Sequence, residues 1–261
     1  YKNAAGEWVD YDNSLKNETV NSASPDEVTE EYTNKKSDFK VNYSKKSKEN
    51  SMVKIKDDNQ KISWGYKDTN KVKSTIVNND EKLTGNDKFT TLKNLTSEIT
   101  YENIYDDVDV QYFTTTTGVK ENIILKNKNA RSDFYIQYKF NNLTAKSVDD
   151  KTVELLNSKG DAVYKIEAPF MFDNDDKTST DLTLSITEQK KNKLTLKVSA
   201  DKKFLSDCSY PVTIDPQFTT SQNWQKSQCT YVDSSKPSTC FGYGSTSGYT
   251  GTVNVGTWGN G

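Results

Sequence analysis

Apolar and polar residues alternate along several segments of this 261-residue chain. Three sets of apolar residues show the two-residue period clearly: Phe134, Ile136, Tyr138 and Phe140; Leu182, Leu184 and Ile186; and Leu194, Leu196 and Val198. Successive side chains of a β-strand point to opposite faces, so each set predicts a strand with one buried face. The expected fold class is therefore all-β, with an antiparallel β-sandwich-like domain built from hairpins.

Composition changes sharply after residues 210–216. The first 217 residues hold 69 of the 72 charged side chains, whereas the last 44 hold three charged residues and seven of the 12 glycines. We expect a β-rich domain over 1–217, with a loop-rich stretch at 13–50, and the opening strands of a second, jelly-roll-like β-domain over 218–261. Those strands are too few to close a jelly roll, so we expect them to dock in cis or on a neighbouring molecule.

The charge balance argues against several kinds of partner. Lys plus Arg is 35 against 37 for Asp plus Glu, no long block of one sign occurs, and Arg131 is the single arginine. Because phosphate binding relies on clustered positive charge, this composition predicts no nucleic-acid partner. No apolar run is long enough for a membrane helix, so no transmembrane segment is expected.

The chain contains no histidine. Ser-His-Asp and Cys-His catalysis are therefore excluded, as are the common zinc sites that use histidine. A glycosidase needs only a pair of carboxylates, but 37 acidic residues produce such pairs by chance. We therefore expect a protein that is not an enzyme and has no cofactor.

One acidic turn is a candidate calcium site. Asp173, Asp175 and Asp176 supply the hard oxygen ligands that calcium prefers. The EF-hand pattern is absent, since Thr178 stands where the loop glycine belongs and Leu184 where the final glutamate belongs. A solvated turn without metal is the favoured interpretation, and calcium is the alternative.

Three cysteines leave their pairing open. Cys229 and Cys240 lie eleven positions apart in a stretch rich in Gly, Ser and Thr, and a bridge between them would stabilise a small loop by about 2 to 3 kcal/mol. This disulfide is our first expectation. A bridge from Cys208 to either of them, or no bridge, are the alternatives.

Aromatic residues are frequent in the last 44 positions. Exposed rings on a β-face can stack on sugars, whereas buried rings only fill a core. If these rings are exposed, the candidate ligand-binding residues are Trp224, Tyr231, Tyr243, Tyr249 and Trp258.

Four motifs together resemble a known family: residues 1–10, 99–112, 118–125 and 210–216. As a set they are similar to the N-terminal region of large bacterial wall-associated and Rhs (YD-repeat) cell-surface proteins. Residues 230–233, 242–244 and 253–256 resemble the opening of the DNRLRE module that follows this region in the family.

The resemblance implies a secreted or cell-wall-associated protein at the bacterial surface. Its expected role is a non-enzymatic structural or adhesion module, and the alternative is a carbohydrate-binding module that uses the C-terminal aromatic residues. The implied partners are cell-wall or other polysaccharide, or other parts of the same long polypeptide. Four Asn-x-Ser/Thr triplets and a first residue other than Met are compatible with secretion.

Overall fold

Antiparallel strands make up most of the part of the chain that the computed structural model describes. That part comprises residues 3, 5–21, 28–57, 60–77, 96–116, 118–149, 151–167 and 169–220, all within the unit Tyr1–Thr220. The all-β expectation is confirmed. The strands are β1 (Asp12–Asn21), β2 (Val28–Lys36), β3 (Lys40–Ser44), β4 (Val53–Asp57), β5 (Gln60–Tyr66), β6 (Ser74–Val77), β7 (Ser97–Tyr105), β8 (Val108–Thr114), β9 (Gly118–Leu125), β10 (Asp133–Phe140), β11 (Thr144–Ser147), β12 (Val153–Leu156), β13 (Ala162–Ile166), β14 (Phe170–Phe172), β15 (Thr178–Ser179), β16 (Thr183–Lys190), β17 (Lys193–Ser199), β18 (Val212–Asp215) and β19 (Gln217–Thr220).

The strands form two antiparallel sheets. The first has the order β1-β2-β3-β4-β5-β10-β17-β16. The second has the order β11-β12-β13-β19-β9-β18-β14-β15, and β8, β7 and β6 extend it from β9. One short helix, α1 (Lys202–Ser206), is capped by Asp201, whose carboxylate accepts the N–H groups of Lys203 and Phe204.

An aromatic layer fills the space between the two sheets. The Trp64 ring on β5 lies 4.8 Å from Phe218 and 6.4 Å from Tyr112, centroid to centroid, and both partners belong to the second sheet. The hydroxyls of Tyr43 and Thr114 lie 2.8 Å apart across the same interface. Buried aromatic pairs add about 0.5 to 1.5 kcal/mol beyond the area that they bury, so this layer holds the sheets together.

Residues 210–216 complete the second sheet. Strands β18 and β19 both pair with the same edge of β9, and Pro216 lies between them. Proline has no N–H to donate to a sheet, which fits its place at the break between the two strands. Its carbonyl still accepts the N–H of Glu121, at 3.3 Å.

The sequence predicts a loop-rich stretch at 13–50, but three strands occupy most of the described residues there. Strands β1, β2 and β3 are polar on their exposed side, which is why composition resembled that of a loop. Few apolar side chains of these strands point toward the core, and the buried ones include Leu15, Val41 and Tyr43. Cross-strand pairing therefore stabilises strands here that composition alone does not predict.

The hairpin predicted from the alternating leucines is present. Strands β16 and β17 pair antiparallel with one register shift between Ile186 and Glu188, and Leu184, Leu194, Leu196 and Val198 are buried. The turn between them consists of Lys191 and Asn192. Asn192 takes a positive φ of 65°, a conformation that asparagine adopts more readily than most residues.

Leu184→Ala should lower the free energy of unfolding by about 2 to 5 kcal/mol, since the side chain is 4% exposed and its removal leaves a cavity. Val148→Ala is the control, because Val148 is 53% exposed and its truncation should change stability by less than about 0.5 kcal/mol. Urea unfolding of both variants makes the measurement. Equal effects at the two positions would contradict the described register.

Candidate functional site

An open groove of about 790 Å³ lies on the outer face of the first sheet. Strands β3, β4, β5 and β10 form its floor, and the β1–β2 hairpin supplies one side. Five lysines line it, and we call it the lysine groove: Lys40, Lys54, Lys56, Lys61 and Lys139. Such a concentration of one charge is uncommon on an ordinary sheet surface, where opposite charges are usually interspersed.

The strand register brings these lysines together. Lys56 on β4 lies directly opposite Lys40 on β3 and directly opposite Lys61 on β5. Directly opposite side chains on a sheet have Cβ atoms about 4.5 to 5.5 Å apart, and like charges in that position are destabilising. Repulsion within the row Lys40–Lys56–Lys61 therefore has an electrostatic cost, which the ion pair between Lys40 and Glu18 reduces.

Two glutamates of the β1–β2 hairpin close one side of the lysine groove. Glu18 and Glu31 lie opposite each other, and they form ion pairs with Lys40 and Lys54, respectively. Partial burial acts to raise the pKa of Glu18, but hydrogen bonds from Lys40 and Asn42 hold that pKa below its ordinary value. Glu31 is 2% exposed, and its Oε2 has no hydrogen-bond partner among the described residues. Two ion pairs thus connect the β1–β2 hairpin to the floor of the groove.

The opposite side of the groove carries the ammonium groups of Lys56, Lys61 and Lys139. Among the carboxylates whose side chains the structure describes, which do not include Asp57 and Asp58, none forms an ion pair with Lys56, Lys61 or Lys139. Their polar neighbours in the groove include Ser63 and Asn141. Ammonium groups on such a surface can bind phosphate oxygens or another anion.

A buried carboxyl group lies between the two sheets. Glu121 on β9 is 5% exposed, and its Oε1 accepts the hydroxyl hydrogen of Tyr66 at 2.8 Å. Burial raises the pKa of Glu121 from 4.5 to about 7, and the nearby Asp215 acts in the same direction. The same burial raises the pKa of Tyr66 well above its ordinary value. Glu121 thus belongs to the core and not to the groove.

In the acidic turn proposed for calcium, the carboxylate of Asp173 accepts hydrogen bonds from backbone N–H groups. Asp173 Oδ1 accepts the N–H groups of Asp175 and Lys177 at 3.0 and 2.9 Å, and Oδ2 accepts the N–H of Ser209 at 2.9 Å. The Ser209 N–H, followed by the other two, holds the pKa of Asp173 below its ordinary value. Across the described residues no cluster of three or more His, Cys, Asp or Glu could hold a metal ion. Calcium binding by Asp173, Asp175 and Asp176 stays a prediction.

The remaining candidate residues fall outside the described part of the chain. These are the proposed ligand-binding residues Trp224, Tyr231, Tyr243, Tyr249 and Trp258, and the proposed disulfide partners Cys229 and Cys240. Both assignments stay predictions. Cys208 is described, carries a free thiol, and donates a long hydrogen bond to the Leu205 carbonyl at 3.5 Å.

The lysine groove was missed from the sequence. Lys54 and Lys56 alternate with Val53 and Ile55, which marks one face of a strand as basic. That signal covers one strand only. The neighbouring lysines come from β3, β5 and β10, and only the register shows that they share a surface.

Similar proteins give the second line of evidence on function. The chain is 31% identical over 169 residues to a Bacillus subtilis (strain 168) protein named tRNA nuclease WapA. It is 30% identical over 169 residues to the tRNA3(Ser)-specific nuclease WapA of Bacillus spizizenii, and equally to the tRNA(Glu)-specific nuclease WapA of Bacillus subtilis subsp. natto. Each match covers 62% of this chain but only 7% of the relative's length. No family model and no solved structure matches the chain.

These relatives correct several expectations. The assignment to an Rhs (YD-repeat) protein running into a DNRLRE module is wrong, because the relatives are named as WapA tRNA nucleases. The expectation of a non-enzymatic structural or adhesion module is overturned by the same names, and they give no support to the carbohydrate-binding alternative. The exclusion of nucleic acid as a partner is likewise wrong, since tRNA is the substrate named for each relative.

In the described part of the chain, no helix is long and apolar enough to cross a membrane.

Glu121→Gln tests the buried carboxyl group. Because its folded pKa of about 7 exceeds the ordinary 4.5, the folded protein binds the extra proton between these values. The free energy of unfolding should therefore fall as pH rises from about 4.5 to 7, by on the order of 3 kcal/mol, and then level off.

Glu121→Gln should remove that fall, whereas Glu102→Gln, at an exposed position, should keep it. Denaturant unfolding at several pH values measures the difference between each variant and the unchanged chain. Identical pH profiles for the unchanged chain and Glu121→Gln would show that the group is not buried.

Proposed function

We propose that this chain is a segment of a protein that cleaves tRNA, and that the segment contributes to binding the RNA. The observation that carries the proposal is the similarity, at 30 to 31% identity over 169 residues, to three proteins each named as a tRNA nuclease. The chain spans 7% of the length of these relatives. The activity is therefore proposed for the whole protein, of which this chain is one part.

The lysine groove supports a role in binding. A nuclease must hold a polyanion, and neutralising backbone phosphates with lysine provides much of the affinity for nucleic acid. Lys56, Lys61 and Lys139 offer positive charge on an open surface. The overall charge of −2 does not reveal this local charge, because it is a sum over the whole chain, and the two glutamates described in the groove, Glu18 and Glu31, pair with Lys40 and Lys54.

We also propose that the protein works outside the cell or at the bacterial surface. This is the location expected from the motifs at 1–10, 99–112, 118–125 and 210–216. Fractionation of the producing cells tests it. Recovery of the protein from the wall fraction or the medium supports the proposal, and recovery from the cytosol alone contradicts it.

The full-length protein that contains this chain should cleave tRNA. The measurement is electrophoresis of purified tRNA after incubation with the full-length protein, with and without divalent cations. Deletion of this chain should raise KM for tRNA more than it lowers kcat, because a binding contribution shared by ground state and transition state acts on KM.

The control for nonspecific effects is a full-length protein that carries two substitutions of exposed lysines, Lys146→Gln on β11 of the second sheet and Lys202→Gln on α1. This control should cleave tRNA like the unchanged protein. Intact tRNA under every condition would refute the proposed activity. An unchanged KM after deletion of the chain would refute its part in binding.

A further inference from the structure

We propose that an open pocket formed by three connections between strands binds a small zwitterion. The ligand carries both a carboxylate and an ammonium group, as a free amino acid or a short peptide does. The volume of the pocket is about 620 Å³, within the range of about 300 to 1,000 Å³ that is usual for small-molecule sites. This site, which we call the Arg131 pocket, is separate from the lysine groove and does not depend on tRNA cleavage. Its lining includes Asp68, Tyr105, Asp106, Asn129, Arg131 and Ser132.

Backbone hydrogen bonds hold the three connections of the Arg131 pocket together. The three segments are 67–70 between β5 and β6, 103–107 at the β7–β8 turn, and 126–132 between β9 and β10, and all their side chains are described. The Asn70 N–H donates to the Ile104 carbonyl at 2.8 Å, and the Lys126 N–H donates to the Asp107 carbonyl at 2.9 Å. The pocket is thus built on a fixed frame, as a binding site requires.

Two contacts fix the guanidinium group of Arg131. Its central carbon lies 4.3 Å from the centroid of the Tyr105 ring, and its Nε donates to the Asp133 carbonyl at 2.7 Å. The two terminal nitrogens form no ion pair with a described residue and donate no hydrogen bond to one. This edge of the fork matches a carboxylate, which can accept two parallel hydrogen bonds from it.

Two carboxylates line the same pocket, and neither forms an ion pair with a described residue. They belong to Asp68 and Asp106, and both side chains are exposed. Asp106 Oδ1 accepts a long hydrogen bond from Asn70 Nδ2, at 3.4 Å. Burial raises the pKa of Tyr105 to about 12, and Arg131 opposes this shift whereas Asp68 adds to it. Opposite charges therefore act on one hydroxyl group without pairing with each other.

The backbone keeps Asp68 apart from Arg131. Asp68 has a positive φ of 53°, and the residue before it is anchored on both sides. The Lys67 N–H donates to the Tyr135 carbonyl at 3.0 Å, and the Lys67 carbonyl accepts the hydroxyl hydrogen of Tyr105. Since Arg131 is fixed as well, a ligand does not have to break an ion pair before it binds both charges. Such preorganisation lowers the cost of binding.

The charges of the pocket select the class of ligand. Arg131 supplies one positive charge, and Asp68 and Asp106 supply two negative charges. A third aspartate of the lining, Asp133, is paired with Lys197 at 3.2 Å. A phosphate dianion would contact one guanidinium group and be repelled by two carboxylates, and an amine without a carboxylate would leave Arg131 unused. A zwitterion is the kind of small ligand that can pair with both signs at once.

The other lining groups suit a polar ligand without a large apolar part. The Tyr105 ring is 6% exposed, so it offers no stacking surface to a base or a sugar. Asn129 and Ser132 add an amide and a hydroxyl group, which can donate to a peptide backbone or accept from it. Affinity should therefore depend on the two charged groups of the ligand and little on its side chain.

Isothermal titration calorimetry of the 261-residue chain tests the proposal, with alanine and the dipeptide alanylalanine as probes. Saturable binding of alanine supports a free amino acid as the ligand, and saturable binding of the dipeptide alone supports a peptide. N-acetylation or C-terminal amidation of the bound probe should each weaken its affinity at least about fivefold, since each removes one charge-assisted contact. In NMR spectra, the backbone amides of 67–70, 103–107 and 126–132 should shift when the probe is added.

Two variants assign the two charged groups of the ligand to their partners. Arg131→Gln should weaken binding of the unmodified probe at least about fivefold and abolish the effect of amidation, because the carboxylate has lost its partner. Asp68→Asn combined with Asp106→Asn should weaken binding similarly and abolish the effect of N-acetylation. Asparagine adopts the positive φ at position 68 readily, so this variant should keep the backbone of the turn.

The matched controls change the same charges at exposed positions outside the pocket. They are Lys159→Gln, and Asp10→Asn combined with Asp181→Asn, and both should bind the probes like the unchanged chain. Circular dichroism and thermal unfolding should show that all four variants fold.

Three results would overturn the proposal: no saturable binding of either probe, equal affinities for capped and unmodified probes, or equal losses in the pocket variants and their controls. Inorganic phosphate serves as a further probe and should bind more weakly than the zwitterion, because Asp68 and Asp106 repel it. Tighter binding of phosphate than of both zwitterions would identify an anion site and would also overturn the proposal.

Discussion

The pairing register of β3, β4, β5 and β10 is the constraint on which both the core and the groove depend. Strand β4 places Val53 and Ile55 inward and Lys54 and Lys56 outward. A slip of one residue would exchange the two faces and bring ammonium groups into the aromatic layer. Because an unpaired buried charge costs far more than one strand pairing provides, the hydrophobic core selects the register and thereby also the composition of the outer surface.

The core was readable from the sequence because its signal is local. Alternation at Ile62, Trp64 and Tyr66 identifies an inward face within a single strand, and all three side chains are at most 1% exposed. The order of strands was not readable in the same way. Strand β10 lies between β5 and β17, and β9 pairs with β18 and β19 from the far end of the chain. Such contacts join segments whose separation in sequence carries no periodic signal.

The charge argument failed for a related physical reason. A long basic block along the chain is the signature of a basic helix or a flexible tail, so its absence does not exclude a basic surface on a sheet. On a sheet, positive charge accumulates across strands, with every second residue contributing to one face. Lys40, Lys56 and Lys61 are spread over 22 positions in the sequence and are nearest neighbours across the sheet. The absence of histidine narrows the catalytic groups that this chain can supply, but the chain spans only 7% of the length of the relatives it matches, so it carries no information on the rest of their length.

Lysine rather than arginine suits the kind of contact that this surface can make. An ammonium group is a strongly hydrated point charge without a preferred plane, whereas a guanidinium group imposes the geometry of its fork on whatever it binds. Lys56 and Lys61 can therefore follow a flexible phosphate chain without fixing its orientation. The single arginine, Arg131, packs over Tyr105 and donates to the Asp133 carbonyl, so its fork is fixed by the local structure. The groove, with no arginine among its described lining residues, therefore imposes little geometry on an anion that binds there.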